Sequence, residues 1–558
     1  MRKLFFILFI FSPVIAFTQP VTQEWVRRYS GLQPNIGSSG KSVKLDSCGN
    51  IYVLVRAASD STNGDYGVLK YNSSGNLLWS AYYNTPGNLG EQSHAFTVTG
   101  SGDVYITGIT GINFIYHILT VKFDSSGSCQ WAKIYNGGGP GDDAYDIAVD
   151  RHGDIVLTGG SATINGSTSY SLVIKYSPNG DSLWVRKFTQ LGIFNVTTKL
   201  VTDDSSNTYV TGYYQPDSLR NHFLTIKYDK SGSLMWYSTY YYDPGYQSDL
   251  AYCIAIDTNR NVYVAGISHT LSPGYNDNSL LKINPNGIIQ WARVYKGIWG
   301  NNSCGQPAGV VTTPDGSRIY YVTVCENEAF NNSNFVTIAY NSIGDSVWVR
   351  RYPINKFGIP QNNPSSLKLD KSNNIYLTGS VYNQSSGDDY VTIKYLPDGT
   401  RYWVATFNGP LANSDDNAND LIIDTNFSVY VTGSSSRQNS PFLWDAATIK
   451  YNQVIGIKPN GNQLPREFVL EQNYPNPFNS FTQIKFDIPS IRGSKQMKVQ
   501  LIIYNVLGQE VENLINKELE AGTYTYGYDA SKLSSGVYFY RLVVNGGIID
   551  TKKMVLAK

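Results

Sequence analysis

The sequence predicts an all-β protein whose larger part is an eight-bladed β-propeller, and three observations carry that expectation. Seven tryptophans, Trp79, Trp131, Trp184, Trp236, Trp291, Trp348 and Trp403, recur every 52 to 57 residues. An aromatic or apolar residue stands eight positions before each one: Tyr71, Phe123, Tyr176, Tyr228, Ile283, Tyr340 and Tyr395. Turns such as SPNG (177–180), NPNG (284–287) and LPDG (396–399) fill the gap, with proline and glycine where a type I turn prefers them. A spacing that never varies means a connection of fixed geometry, here a hairpin between two antiparallel strands.

Two further strands precede each hairpin. NIYVLV (50–55), DVYITG (103–108), DIVLTG (154–159), TYVTG (208–212), VYVAG (262–266), IYYVTV (319–324), IYLTG (375–379) and VYVTG (429–433) form one set. Apolar runs such as DIAVD (146–150) and CIAID (253–257) form the other, joined to the first by a tight turn. Four short strands repeating at this period are the pattern of propeller blades. A last TIKYN (448–452) has no tryptophan eight residues on, where Pro459 stands, and Trp25 in EWVRRY has no preceding IKY. The N-terminal strand is therefore expected to complete the last repeat and remove two open edges. Both ways of counting give eight blades; seven plus an irregular unit is the alternative. The tryptophan and the aromatic four residues on, as in Trp184 and Phe188, share one strand face. A pair that recurs around a ring reads as packing, not chemistry.

Composition agrees. Charged residues are 16% of the 558, below the globular norm of about 25%. Glycine (51) and tyrosine (43) are abundant, a balance that favours strands and turns over surface helices. A net charge of +1 gives no electrostatic footprint for nucleic acid. Arg2 and Lys3 precede an apolar run from Leu4 to Phe11, followed by small Ala16, so residues 1–16 read as a signal peptide cleaved before Phe17. No later stretch has the length and apolarity of a membrane helix. Of five cysteines, Cys304 and Cys325 fall in one repeat and could bridge, while Cys48, Cys129 and Cys253 read as isolated thiols.

The repeats resemble the SBBP β-propeller repeats of exported bacterial proteins, on the pattern D…GN-IYV-TG…D-TIKY…G…W over residues 20–453. That resemblance implies a fold and no common activity. After a linker (454–466) the composition changes, and alternating apolar strands over 467–558 predict a small Ig-like β-sandwich. Four blocks in order, NYPNPFN (473–479), YNVLGQEV (504–511), SGVYFYRL (535–542) and KKMVL (552–556), resemble the type A C-terminal sorting domain of the type IX secretion system. The resemblance implies Tyr474, Pro475, Asn476, Pro477, Phe478, Gly508, Gly536, Tyr538, Lys552 and Lys553 as its signature positions. Ser480 departs from it, where proline often stands. Implied with it are type IX secretion machinery as a partner, passage through the periplasm, and arrival at the surface or exterior of a Gram-negative cell.

Candidate ligand-contacting residues are few. Trp299 and Trp444 stand outside the repeat pattern, as do Tyr241 and Tyr242 in STYYYDPGY (238–246); rigid amphipathic rings on loops grip sugars or protein surfaces. The acidic pairs Asp142-Asp143 and Asp415-Asp416 are candidates for Ca²⁺ as oxygen-rich loops, against the reading of Asp142, Asp415 and their neighbours as solvated turns, since no EF-hand spacing occurs. The lysines of IKY are expected to pair with carboxylates of their own blade or to snorkel over apolar surface. No HExxH and no G-x-S-x-G motif is present, and no catalytic residue or resident cofactor is predicted. The function expected is a non-catalytic, exported binding protein whose partner is a glycan or an envelope component. The alternative is a propeller enzyme, either a quinoprotein-like oxidoreductase, which would lack the adjacent cysteines typical of that class, or a glycan-active hydrolase with paired carboxylates.

Overall fold

The computed structural model describes residues 21–557 apart from 32–36, 60–61, 88, 113–114, 164–167, 218–219, 243–247, 270–275, 298–303, 327–332, 355–363, 411–414, 438–442, 454–457, 460–464, 475, 479–480, 491–495 and 531–532. Residues 21–453 form eight four-stranded antiparallel units, five as separate sheets and three joined end to end by the single parallel bridges Ser169↔Phe194 and Asn221↔Ser248. The first blade runs Ser38–Leu45, Ile51–Ser59, Thr62–Tyr71 and Leu77–Tyr83 from the axis outward. The eighth takes Asp416–Ile423, Val429–Ser436 and Trp444–Gln453 from the end of the repeats and Val21–Tyr29 from the N-terminus as its outer strand. There Trp25 lies opposite Lys450, the register that places Trp184 opposite Lys175 within a continuous blade. Arg28 locks this strand in place, with Nε 3.0 Å from the Asp445 carboxylate and its Nη atoms donating to Ser435 and Ser436.

The two middle strands of each blade are buried on both faces, because a blade is packed against a neighbour on either side. Ile155–Ala162 is buried almost throughout, which is why the IYVTG and TIKY segments are continuous apolar runs with no polar alternation. The outer strands alternate, as in Ser182–Phe188, where Trp184 and Phe188 are buried and Leu183 is exposed.

The tryptophans are the seams. Each indole Nε1 donates to a carbonyl in the outer hairpin of the next blade: Trp25 to Ser73, Trp79 to Ser125, Trp131 to Pro178, Trp184 to Lys230, Trp236 to Pro285, Trp291 to Ser342 and Trp348 to Pro397, at 2.8–3.3 Å. The ring lies on that hairpin's glycine. Gly232 has φ +79°, and a Cβ there would stand 2.7 Å from the Trp184 ring. Gly75, Gly127, Gly180, Gly287, Gly344 and Gly399 repeat the arrangement. Glycine is thus required twice over, by the left-handed backbone and by the indole above it. Trp403, which faces no hairpin, donates to Gln453 Oε1 at 3.3 Å instead.

Several IKY lysines reach across the same seam, and others pair within their own blade. Lys70, Lys282 and Lys450 donate to Ser125, Ser342 and Ser73 carbonyls, and Lys122 and Lys175 lie 3.1 and 2.6 Å from Asp103 and Asp150. The first turn is built around one aspartate in six blades, and around Thr99 and Thr313 in the second and sixth. In the first blade Asp46 accepts from the Cys48 and Asn50 backbone, from Asn50 Nδ2 and from Tyr52 Oη. Asp203, Asp257 and Asp370 hold Asn207 and Tyr209, Asn261 and Tyr263, and Asn374 and Tyr376 in the same way. Cys304 and Cys325 form a disulfide in the sixth blade.

Beyond the propeller, two four-stranded sheets enclose a core that includes Ile484, Phe486, Leu501, Ile503, Tyr540 and Leu542. Lys458–Pro459, inside the segment expected to be linker, pairs as an edge strand with Gly522–Asp529.

Candidate functional site

Successive connections in a blade alternate between the two ends of the strands, so the ring has two unlike faces. One face carries the aspartate turns and the tryptophan hairpins. The other carries the hairpins between the two middle strands and the links between blades. Those links range from five residues (189–193) to thirteen (296–308), so this second face is irregular where the first is periodic.

Tyr241 lies on the irregular face, in the link after the fourth blade, and is 52% exposed. Its ring is 5.0 Å from His222, which meets Tyr214 edge-on at 5.3 Å and lies 3.1 Å from its hydroxyl. Burial pushes the His222 imidazole below its usual range, which favours its neutral form. Tyr237, 41% exposed, meets Phe188 edge-on at 5.3 Å. Tyr242 is anchored by its backbone N–H, 3.1 Å from Asp249, with the Lys296 ammonium 5.3 Å above its ring. The result is a supported aromatic platform with a cation at its side. Trp444 is half-buried at the start of the third strand of the eighth blade, opposite Ser436. Blades four and eight face each other across an eight-membered ring, so Trp444 and the tyrosines do not share one site. Trp299 lies outside the described residues. His222 escaped the sequence reading because an isolated histidine in RNHFLTIKY carries no signal of its own.

One member of each acidic pair is buried, where the sequence suggested solvated loops, while Asp415 is exposed. Asp142 is fully buried and accepts from the Gly137 N–H and the Ser161 hydroxyl, both at 2.6 Å. Asp416, also fully buried, accepts from the Gly409 N–H and the Ser435 hydroxyl. Each staples the incoming link to its blade. Asp143 Oδ1 lies 2.9 Å from His94 Nδ1, and Asp415 accepts the Asp388 N–H at 3.2 Å. Among the described residues no group of three or more histidine, cysteine or acidic side chains is arranged to hold a metal. Asp249 occupies the same staple position in the fifth blade, and burial raises its carboxyl to about 6.

Along the axis runs a cavity of about 690 Å³ lined by all eight innermost strands. Six of those strands carry a β-bulge at one level, between Gly40 and Ser42, Ser93 and Ala95, Ala144 and Asp146, Thr197 and Lys199, Ala251 and Cys253, and Ala418 and Asp420. A bulge leaves a carbonyl unpaired in its ladder. The preceding blade satisfies several of them: Lys41 Nζ donates to Ser93, Thr198 Oγ1 to Ala251, Ser365 Oγ to Ala418 and Asn419 Nδ2 to Gly40, at 2.6–3.3 Å. Four lysines, Lys41, Lys44, Lys199 and Lys368, project into this cavity. Their signal in the sequence is a lysine amid an innermost-strand apolar run, as in TTKLV (197–201) and SLKLD (366–370).

In the C-terminal sandwich, the signature residues fasten the chain end. Asn476 Oδ1 accepts the Val555 N–H at 2.8 Å, and Phe478, buried in the core, pairs through its backbone with Val555 and Ala557. Tyr474 is 74% exposed. Gly508 turns with φ +75° beside exposed Val506 and Leu507, Tyr538 Oη donates to the Ser534 carbonyl, and Lys552 pairs with Asp550 at 3.0 Å. Gly536 opens the strand that pairs with Lys552 and Lys553. Pro475 lies outside the described residues. Residues 472–557 match the model of the secretion system C-terminal sorting domain. The chain carries a secretion sorting domain. It is therefore an exported protein handled by type IX secretion machinery, bound for the cell surface or the extracellular space. No helix among the described residues is long and apolar enough to cross a membrane.

The chain is similar to an uncharacterized WD repeat-containing protein of Acanthamoeba polyphaga mimivirus, at 24% identity over 490 residues, covering 70% of this chain. The chain spans about a third of that relative's length, 33%. Similar solved structures include a protein from Chaetomium thermophilum (8% identity, TM-score 0.45, 77% of this chain and 99% of that one). Another is an ulvan lyase of a new polysaccharide lyase family (11% identity, TM-score 0.40, 73% and 93%).

Proposed function

We propose that this protein is an exported binding protein, a rigid propeller of SBBP type whose irregular face contacts a glycan or another component of the cell envelope. The observation that carries the reading is the Tyr241 platform. An exposed tyrosine backed by His222 and Tyr214 loses little conformational entropy on binding, and a sugar's apolar face stacks on such a ring. Lys296 over Tyr242 adds a cation for an acidic sugar beside it. On the periodic face the hairpin glycines and indoles are engaged in joining blades, and the aspartates in holding their own turns.

Affinity electrophoresis through gels containing laminarin, xylan or alginate tests this. Retardation of the full chain by at least one polysaccharide is expected, lost in Tyr241→Ala with an unchanged melting temperature. Retardation that survives Tyr241→Ala and disappears in Trp444→Ala would move the site to the eighth blade. No retardation in any gel would overturn the glycan reading, and release of reducing ends would replace binding with hydrolysis.

A further inference from the structure

The axial cavity holds charge for which the irregular face has no use. Lys41, Lys44, Lys199 and Lys368 enter it from the first, fourth and seventh blades, against two carboxylates, Asp146 and Asp420. Four ammonium groups against two carboxylates leave two surplus positive charges in a space walled by protein.

Each carboxylate carries one charge and is already engaged, so neither offsets the surplus. Asp420 accepts from the Val43 and Leu421 N–H groups at 3.1 and 2.9 Å, and from the hydroxyls of Ser42 and Ser366. The Lys44 ammonium stays 4.0 Å away from it. Asp146 accepts the Leu200 N–H at 3.0 Å, and its charge holds the Lys199 ammonium above its usual range. Lys44 is held below the usual range by burial, with Lys368 and Lys199 adding repulsion. Burial and the nearby Arg56 bring Lys41 down to about 8. Like charges converging in a channel walled by protein repel one another, and a counter-anion among them relieves that repulsion.

We propose that the axial cavity binds a small dianion, a phosphate or a dicarboxylate, between the ammonium groups of Lys44, Lys199 and Lys368. Two negative charges match the surplus. The volume of 690 Å³ falls within the range of about 300–1,000 Å³ usual for small-molecule sites. Phe96, Val201, Ile256 and Val311 give part of the wall an apolar surface, so an organic body has somewhere to lie. The site is distinct from the Tyr241 platform, and either can fail without the other.

Isothermal titration of the full chain with inorganic phosphate, and separately with succinate, at constant ionic strength in chloride, tests the proposal. Saturable one-site binding of one or both anions is expected at millimolar concentration or below. Phosphate alone would mark a phosphoryl ligand and succinate alone a carboxylate; both outcomes support the site. Lys44→Met combined with Lys368→Met should weaken binding at least about tenfold, a loss of about 1.4 kcal/mol. Lys368→Arg should keep most of it, and Lys498→Met, exposed on the C-terminal sandwich, should change nothing. Circular dichroism and an unchanged or raised melting temperature without anion would establish that the double variant folds. No saturable heat with either anion, or equal affinity in the folded double variant, would overturn the proposal.

Discussion

At the periodic face of the ring, most blades repeat the same bonds: an aspartate threading its turn (a threonine in the second and sixth blades), an indole lying on a neighbour's glycine, a lysine reaching the next hairpin. At the irregular face the links differ in length and the side chains differ in kind, from the buried staple of Asp142 to the exposed ring of Tyr241. The same strands serve both ends, so the contrast is one of employment. Groups that hold blades together are spent on stability. An exposed group that varies from blade to blade, such as the Tyr241 ring, is placed where a ligand can reach it.

Breaking a periodic position should therefore cost stability in proportion to its packing. Trp184→Ala removes a buried indole and its bond to Lys230, and should destabilise the propeller by about 3–5 kcal/mol in chemical denaturation. An unchanged midpoint would mean the indole does not pack between blades. Gly232→Ala should cost about 2–4 kcal/mol, from the left-handed backbone and the clash with Trp184 together. Gly49 sharpens the comparison. It has φ +78° on the same face with nothing within 4 Å, so Gly49→Ala should lose only about 1 kcal/mol.

At the irregular face Asp249→Asn should stabilise. Burial raises the Asp249 carboxyl to about 6 from an ordinary value of 3.8, so the folded protein holds its proton more tightly than the unfolded chain does. That contribution is fully present below the unfolded value and is lost as pH rises through about 6. At pH 7 the asparagine variant should gain up to roughly 2–3 kcal/mol and lose the pH dependence between about 4 and 6. The same position in the fourth blade is already Asn195, whose backbone pairing is that of Asp249. A variant no more stable than the parent at pH 7 would show that the carboxylate finds a partner there. Smallest of all, Tyr241→Ala should move stability by no more than about 0.5 kcal/mol while removing polysaccharide retention.

The all-β class and the propeller were legible because the tryptophan spacing, the turn glycines and the buried IYVTG runs all state one geometry. What the tryptophans pack against was less so. Gly232 reads as a turn residue in sequence, and only the neighbouring blade shows that it also makes room for an indole. Asp142 misled for a related reason. It lies beside a glycine-rich loop and looks solvated, yet the Gly137 N–H of that loop and the Ser161 hydroxyl both donate to its buried carboxylate. The lysines of the axial cavity were hidden by distance along the chain, since Lys44, Lys199 and Lys368 converge only when the ring forms. The Tyr241 platform was half visible: the tyrosines stood out as departures from the repeat, whereas His222 needed the fold to place it under them.

The central claim is that the irregular face binds and the periodic face only builds. Hydrogen–deuterium exchange of the full chain, with and without whichever of laminarin, xylan or alginate retards it, reads both faces at once. Slower exchange is expected in residues 213–217, 220–223 and 237–242, around Tyr241, with the tryptophan hairpins at 72–76 and 229–233 unchanged. Protection confined to those hairpins and the aspartate turns would contradict it.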